Sequence, residues 1–198
     1  PGGAYEDGSF GPEQPLCAES NLYPILKSFG KTFYEANKQA RRGGLLSDHA
    51  LFVPGVKFIR NGAVRDASVI VIAAPMRARA LEAHRSEQEC DADLRNRIEA
   101  LLRIAAANET DCLVVNGFGC SIDGNDPAVV AKLFRTWIDE HPGIFKEVLF
   151  STRRGAEYDA FAALFAKPAE EVVVIEEDDD DEDPLADIEL PEGVTLRR

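Results

Sequence analysis

No apolar stretch in this 198-residue chain approaches the length needed to cross a bilayer, and no charged start followed by an apolar run marks a signal peptide. No membrane-spanning segment is expected within it, and a targeting segment before Pro1 would not be seen. Cysteine is sparse: Cys17, Cys90, Cys112 and Cys120 are widely spaced, with no CxxC pair and no Cys/His cluster. That pattern argues against zinc, and nothing else in the chain implies a metal or cofactor. Dispersed thiols suit a reducing compartment, so an intracellular location, nucleus or cytoplasm, is expected. Two nucleotide-binding signatures do not fit the chain's glycine-rich loop, because no GK[ST] follows Gly117–Gly124 and the glycines there are not spaced GxGxxG. The chain opens on Pro1 and its only methionine is Met76, so a natural start upstream is expected.

Positive charge is short as well. The net charge is −13, but 13 acids against 2 arginines in residues 170–198 account for −11 of it, leaving −2 for the remaining 169 residues. An acidic tail on a nearly neutral body argues against direct capture of DNA, whose phosphates repel it. Apolar residues make up 45% of the chain, enough for a real core in one domain.

What is present reads as alternating strands and helices. After a glycine- and proline-rich start, Leu16, Leu22, Tyr23, Leu26, Phe29 and Phe33 follow a helical pattern that stops near Arg41–Gly44. Ala50–Val53 and Val56–Ile59 flank Pro54-Gly55 and predict two extended runs with a turn between them. Ser68–Ala74 is almost continuously apolar, as expected of a strand covered on both faces. A helix is predicted over Asp91–Ala107, a buried strand over Cys112–Val115, a helix over Ala128–Ile138, a third buried strand over Glu147–Phe150 and a final helix over Glu157–Ala166. This order predicts an α/β fold with a mostly parallel sheet and helices on both faces. The domain is expected to span 1–166. Residues 167–198 are too acidic and too poor in aromatics to fold alone, and predict a disordered tail.

The segment Val114-Val115-Asn116-Gly117-Phe118-Gly119-Cys120-Ser121-Ile122-Asp123-Gly124-Asn125-Asp126-Pro127 carries the clearest chemistry. A strand ends, a loop with three glycines follows, and a helix opens with Asp126 as cap and Pro127 in its first position. Such a loop can aim backbone N–H groups at an anion, at the carboxyl end of a strand where parallel sheets bind ligands. On glycine spacing alone a tight structural turn is an equal alternative.

A more specific pattern lies at the start. Pro1-Gly2-Gly3-Ala4, then Pro12-Glu13-Gln14-Pro15-Leu16-Cys17 and Ser20-Asn21-Leu22-Tyr23, resemble the signature of microbial-type poly(ADP-ribose) glycohydrolases, a triple glycine followed by Gln-Glu-Glu. Ser47-Asp48, Ala73-Ala74-Pro75, Gly117-Phe118-Gly119-Cys120 and Gly124-Asn125-Asp126-Pro127 match later anchors in order. The resemblance implies a macrodomain, a three-layer α/β/α sandwich that binds ADP-ribose or poly(ADP-ribose). It also implies strands upstream of Pro1. It assigns ligand contacts to Gly2, Gly3, Ala4, Glu13, Gly117, Phe118, Gly119, Cys120, Ser121 and Ile122.

Two departures stand out. Ala4 replaces the third glycine, adding a methyl where the chain would approach the ligand. Gln14 falls where the family has its general acid, while Glu13 keeps the glutamate that helps hold the terminal ribose. Cleaving a ribose–ribose bond needs a proton on the leaving oxygen, which a carboxylic acid gives and a primary amide does not.

In the tail, Val172, Val173, Val174 and Ile175 precede the acidic run 176–183 and resemble a SUMO-interacting motif, in which an aliphatic strand adds to a partner's sheet edge. A solvated acidic tail with an incidental apolar patch is the rival reading. Three functions therefore stand open: a weakened or inactive ADP-ribose-binding member, an active glycohydrolase with Glu13 as acid, and an interaction scaffold.

Overall fold

The computed structural model describes residues 11–40 and 42–166. The chain divides into two units, Pro1–Ala166 and Lys167–Arg198; the expected tail, with its Val172–Ile175 strand, lies outside the described residues. So do Gly2, Gly3 and Ala4.

The described part begins with two short helices, α1 (Glu13–Ala18) and α2 (Leu22–Ser28). A π-helical turn, Gly30–Tyr34, leads into α3 (Glu35–Gln39), and a 3₁₀ turn, Arg42–Gly44, ends the segment. The strands β1 (Ala50–Arg60) and β2 (Ala63–Ile72) then pair antiparallel from Ala50↔Ile72 to Arg60↔Ala63. The expected turn at Pro54-Gly55 is instead an irregularity inside β1, where the register shifts between Val53 and Val56. The reason is parity. Leu51, Val53, Val56 and Phe58 all pack into one apolar cluster, yet Val53 and Val56 are an odd number of residues apart. A bulge resets the alternation of side chains and keeps them on one face. The real turn is Asn61-Gly62, with φ of 50° and 76°, the pair of left-handed residues that a two-residue hairpin uses.

Next come α4 (Arg77–Glu82) and the 21-residue α5 (Glu87–Ala107). The latter starts four residues before the expected Asp91, because Ser86 and Glu89 form a capping box: the Glu89 N–H donates to Ser86 Oγ at 3.2 Å and the Ser86 N–H to Glu89 Oε2 at 2.9 Å. Strand β3 (Cys112–Asn116) pairs parallel with β4 (Glu147–Ser151), joined through α6 (Pro127–Glu140), and α7 (Ala156–Phe165) follows. Asp126 caps α6 by accepting from the Ala128 N–H at 2.9 Å, with Pro127 in the first turn, as expected.

The mixed α/β architecture is layered. Along β2, Val69 and Val71 pack with Cys17, Leu22, Leu26, Phe33 and Tyr34 of the early helices. Ile70 and Ile72 pack with Leu94, Ile98, Val130 and Phe134 of α5 and α6. Alternate side chains thus serve opposite faces, and helices cover both, which explains the continuous apolar run. Fully buried positions such as Leu22, Val56 and Leu102 each contribute roughly 1.5–3 kcal/mol.

Among the described residues the strands pair as one antiparallel and one parallel couple. In β3 and β4 the apolar runs are covered on one side only. Leu113 and Val115 are buried, whereas Val114 is 66% and Leu149 46% exposed. Helices α5, α6 and α7 account for the covered side, so these two strands are half-buried rather than buried as expected. No helix among the described residues is long and apolar enough to cross a membrane.

Candidate functional site

Glu13 opens α1, and burial of this first turn against the cluster around Cys17 and Tyr34 half-covers its side chain. The Tyr34 hydroxyl, reached through the π-helical turn, donates to Glu13 Oε2 at 3.1 Å. Desolvation pushes the Glu13 carboxyl above its ordinary range, against the opposing pull of that hydrogen bond. The neighbouring Cys17 thiol rises to about 11, first from burial and then from the Glu13 charge. Gln14 is half-exposed, and its backbone N–H donates to the Gly11 carbonyl at 3.2 Å.

The glycine loop after β3 is held from several directions. Phe118 is buried in the main core. The Cys120 N–H donates to Gly117 O at 2.9 Å, the Gly124 N–H to Ser121 O at 3.2 Å and the Asn125 N–H to Gly119 O at 3.2 Å. Asn125 Nδ2 donates both to Gly119 O at 2.8 Å and to Pro75 O at 2.9 Å, so the loop is pinned to the segment leaving β2. Gly119 has φ +71°, and a Cβ there would stand 2.7 Å from Asn125 Nδ2 and 2.9 Å from Ala74 Cβ. Glycine is required by both backbone and space. With these bonds made, and with the Asp123 N–H turned back into the 3₁₀ turn Ser121–Asp123, the backbone N–H groups of Gly119, Ser121 and Ile122 donate to no acceptor among the described residues. They are the donors left for an anion.

Three groups shape this loop that the sequence reading did not single out. Arg97, buried within α5, donates to Ala73 O at 2.6 Å and Leu45 O at 3.3 Å and pairs with Asp93 at 2.9 Å. It falls on the same helical stripe as Leu94, Ile98 and Leu101, so a charged residue among core positions was the available signal. Glu157 of α7 accepts from Ser121 Oγ at 3.1 Å and from the Arg153 N–H at 3.1 Å, and no local pattern announces it. Asp123 is raised above its ordinary value by burial. The Cys120 thiol is pushed to about 12 by burial, then by the charges of Glu157, Asp126 and Asp123. Ile122 is 72% exposed.

The two groups of predicted site residues stand on different supports. Glu13 and Gln14 belong to the early helices, and Gly117 to Ile122 to the β3–α6 connection. No hydrogen bond joins them among the described residues.

Comparison with known proteins supplies the rest. A family description, the catalytic domain of microbial-type PARG, matches residues 1–61. A crystal structure of poly(ADP-ribose) glycohydrolase from Deinococcus radiodurans in complex with ADP-ribose is similar at a TM-score of 0.71 and 30% identity, over 82% of this chain and 70% of that one. The Thermomonospora curvata enzyme bound to the inhibitor ADP-HPD matches at a TM-score of 0.72 and 29% identity, over 83% of this chain and 66% of that one. A further structure of the T. curvata enzyme gives 31% identity at a TM-score of 0.71, over 83% and 64%. No curated protein sequence matches.

Proposed function

The chain belongs to the microbial-type poly(ADP-ribose) glycohydrolase family, and from that premise we propose that it binds ADP-ribose or poly(ADP-ribose) with a weakened or absent hydrolytic step. The observation that carries the binding reading is the set of uncommitted N–H groups at Gly119, Ser121 and Ile122, at the carboxyl end of β3. In this reading they receive the diphosphate, with Gly117, Phe118 and Cys120 shaping the loop, while Gly2, Gly3, Ala4 and Glu13 approach the ribose end. The ADP-ribose complex of the D. radiodurans relative supports the ligand class. The weakened chemistry rests on Gln14 at the acid position, because its amide neither gives nor takes a proton near neutral pH.

A second reading has its own observation. Glu13 is half-buried and raised by desolvation, the effect by which a carboxyl keeps a proton to donate, and Tyr34 fixes its position. Glu13 then serves as the acid of an active glycohydrolase. In both readings residues 1–166 form the ligand-binding unit. The tail is a separate element that offers Val172–Ile175 to a SUMO-like partner or acts within a scaffold.

Isothermal titration with ADP-ribose tests binding, and an absence of heat at millimolar ligand leaves only the scaffold. Release of ADP-ribose from poly(ADP-ribose) separates the active reading from the inactive one.

A further inference from the structure

Glu157 lies in the first turn of α7 and is 8% exposed. Both carboxylate oxygens are in use, Oε2 accepting from Ser121 Oγ and Oε1 from the Arg153 N–H, each at 3.1 Å. No lysine, arginine or histidine pairs with it among the described residues. A buried carboxylate held only by neutral donors is costly, so what it organises matters. It organises the glycine loop from below. A Cβ on residue 117 would collide with Glu157 Oε1, so the glycine there makes room for this carboxylate. Ser121 is held at φ +60°, a region that serine seldom adopts, and the bond to Glu157 anchors its side chain.

We infer that Glu157 is a positioning residue of the anion loop: its carboxylate fixes the backbone that presents the free N–H groups, and its negative charge weakens the loop's hold on a phosphate-bearing ligand. The inference rests on reading this loop as the diphosphate site. The two roles pull in opposite directions, and that makes them separable. A merely structural side chain weakens binding whenever it is changed. A positioning carboxylate beside an anion strengthens binding when only its charge is removed, and part of that gain is lost when the whole side chain goes. Glu157→Gln does the latter, since its amide oxygen accepts from the Arg153 N–H and its NH₂ donates to Ser121 Oγ.

Calorimetric titration of ADP-ribose into the full chain is the test. Glu157→Gln binds about 3- to 10-fold more tightly than the unaltered protein, the scale of one nearby charge in a partly screened site. Glu157→Ala, which frees the loop, binds more weakly than Glu157→Gln by a similar factor, about 3-fold or more. An unchanged or weaker Glu157→Gln overturns the inference. A second measurement does not depend on the ligand. In thermal unfolding, Gly117→Ala lowers the midpoint, and adding Glu157→Ala to it brings the midpoint to that of Glu157→Ala alone, because the collision is gone. Additive losses at the two positions overturn the contact on which the inference stands. Should no variant bind ADP-ribose, the proposed function falls, while the coupling between positions 117 and 157 still upholds or overturns the placing of the loop by Glu157.

Discussion

Tyr34 donates its hydroxyl hydrogen to Oε2 of Glu13 across 3.1 Å, joining the π-helical turn to the first helix. Burial raises the Glu13 carboxyl, and this bond works against the rise by favouring the charged form. Tyr34→Phe removes the opposition, so the Glu13 titration moves to higher pH still. A carboxyl raised in the fold above its ordinary value of 4.5 favours the protonated state, so stability is fully present below that value and falls as pH climbs through it toward the folded pKa. The fall is larger in Tyr34→Phe. Carbon-13 titration of the Glu13 carboxyl, with unfolding midpoints at acid and neutral pH, checks both; a downward shift or none contradicts the account.

Arg97 supports the other end of the site. It holds the Ala73 and Leu45 carbonyls and Asp93 while 2% exposed. Arg97→Met keeps the packing volume but strands two buried carbonyls, and breaking a buried pair of this kind costs about 3–5 kcal/mol. The segment from Ala73 to Pro75 also anchors Asn125, so ADP-ribose affinity drops along with stability. Denaturant unfolding and titration on the same variant read the two effects. A loss below about 1 kcal/mol would mean that the arginine is not organising this junction.

How much of this was legible depended on whether the cause was local. The start of α6 was readable because Asp126-Pro127 is a cap and a first-turn proline within a few residues. The hairpin was readable in principle from Asn61-Gly62, but Pro54-Gly55 is also a turn signal, and only the shared cluster of Val53 and Val56 makes it a bulge. The apolar runs of β3 and β4 suggested burial on both faces, since sequence shows apolarity and not which neighbours cover it; Val114 is 66% exposed. The ordered motifs placed the glycine loop correctly between β3 and α6. They could not reveal Glu157, which meets Ser121 from 36 residues away and sits in no pattern of its own.

Gly119 tests the loop directly. Its φ of +71° and the nearness of Asn125 and Ala74 leave no place for a branched side chain. Gly119→Val reduces ADP-ribose affinity by about 10-fold or more, or 1.4 kcal/mol and upward. The smaller Gly119→Ala does the same to a lesser degree in a protein that still folds. Full affinity in a folded variant removes the diphosphate assignment.

The tail is expected to act alone. Residues 170–198 carry −11 of the net −13, and deleting 167–198 leaves the unfolding midpoint and ADP-ribose affinity of the body unchanged within error. Val173 and Val174 are the test of strand addition. Changing both to alanine abolishes binding to a SUMO-like protein in a pull-down with purified components, and persistence of that binding rejects the mode.

Gln14 decides the chemistry. If it occupies the acid position, the protein releases ADP-ribose from poly(ADP-ribose) very slowly or not at all. Gln14→Glu changes an amide to an acid of nearly the same shape at a half-exposed site in α1, so the fold tolerates it. The new carboxyl stands beside Glu13, already raised by burial. Two neighbouring carboxyls raise one another, which favours a protonated donor at neutral pH. The expected gain in turnover is about 10²–10⁴, the usual contribution of a general acid. Glu13→Gln in the unaltered protein is the control, and it separates the rival assignment. A protein that already turns over, gains nothing from Gln14→Glu and is silenced by Glu13→Gln has Glu13 as its acid, as its burial would suit. A protein that binds ADP-ribose but stays silent in both forms has lost more of its site than this one carboxyl, and binding is then its remaining function.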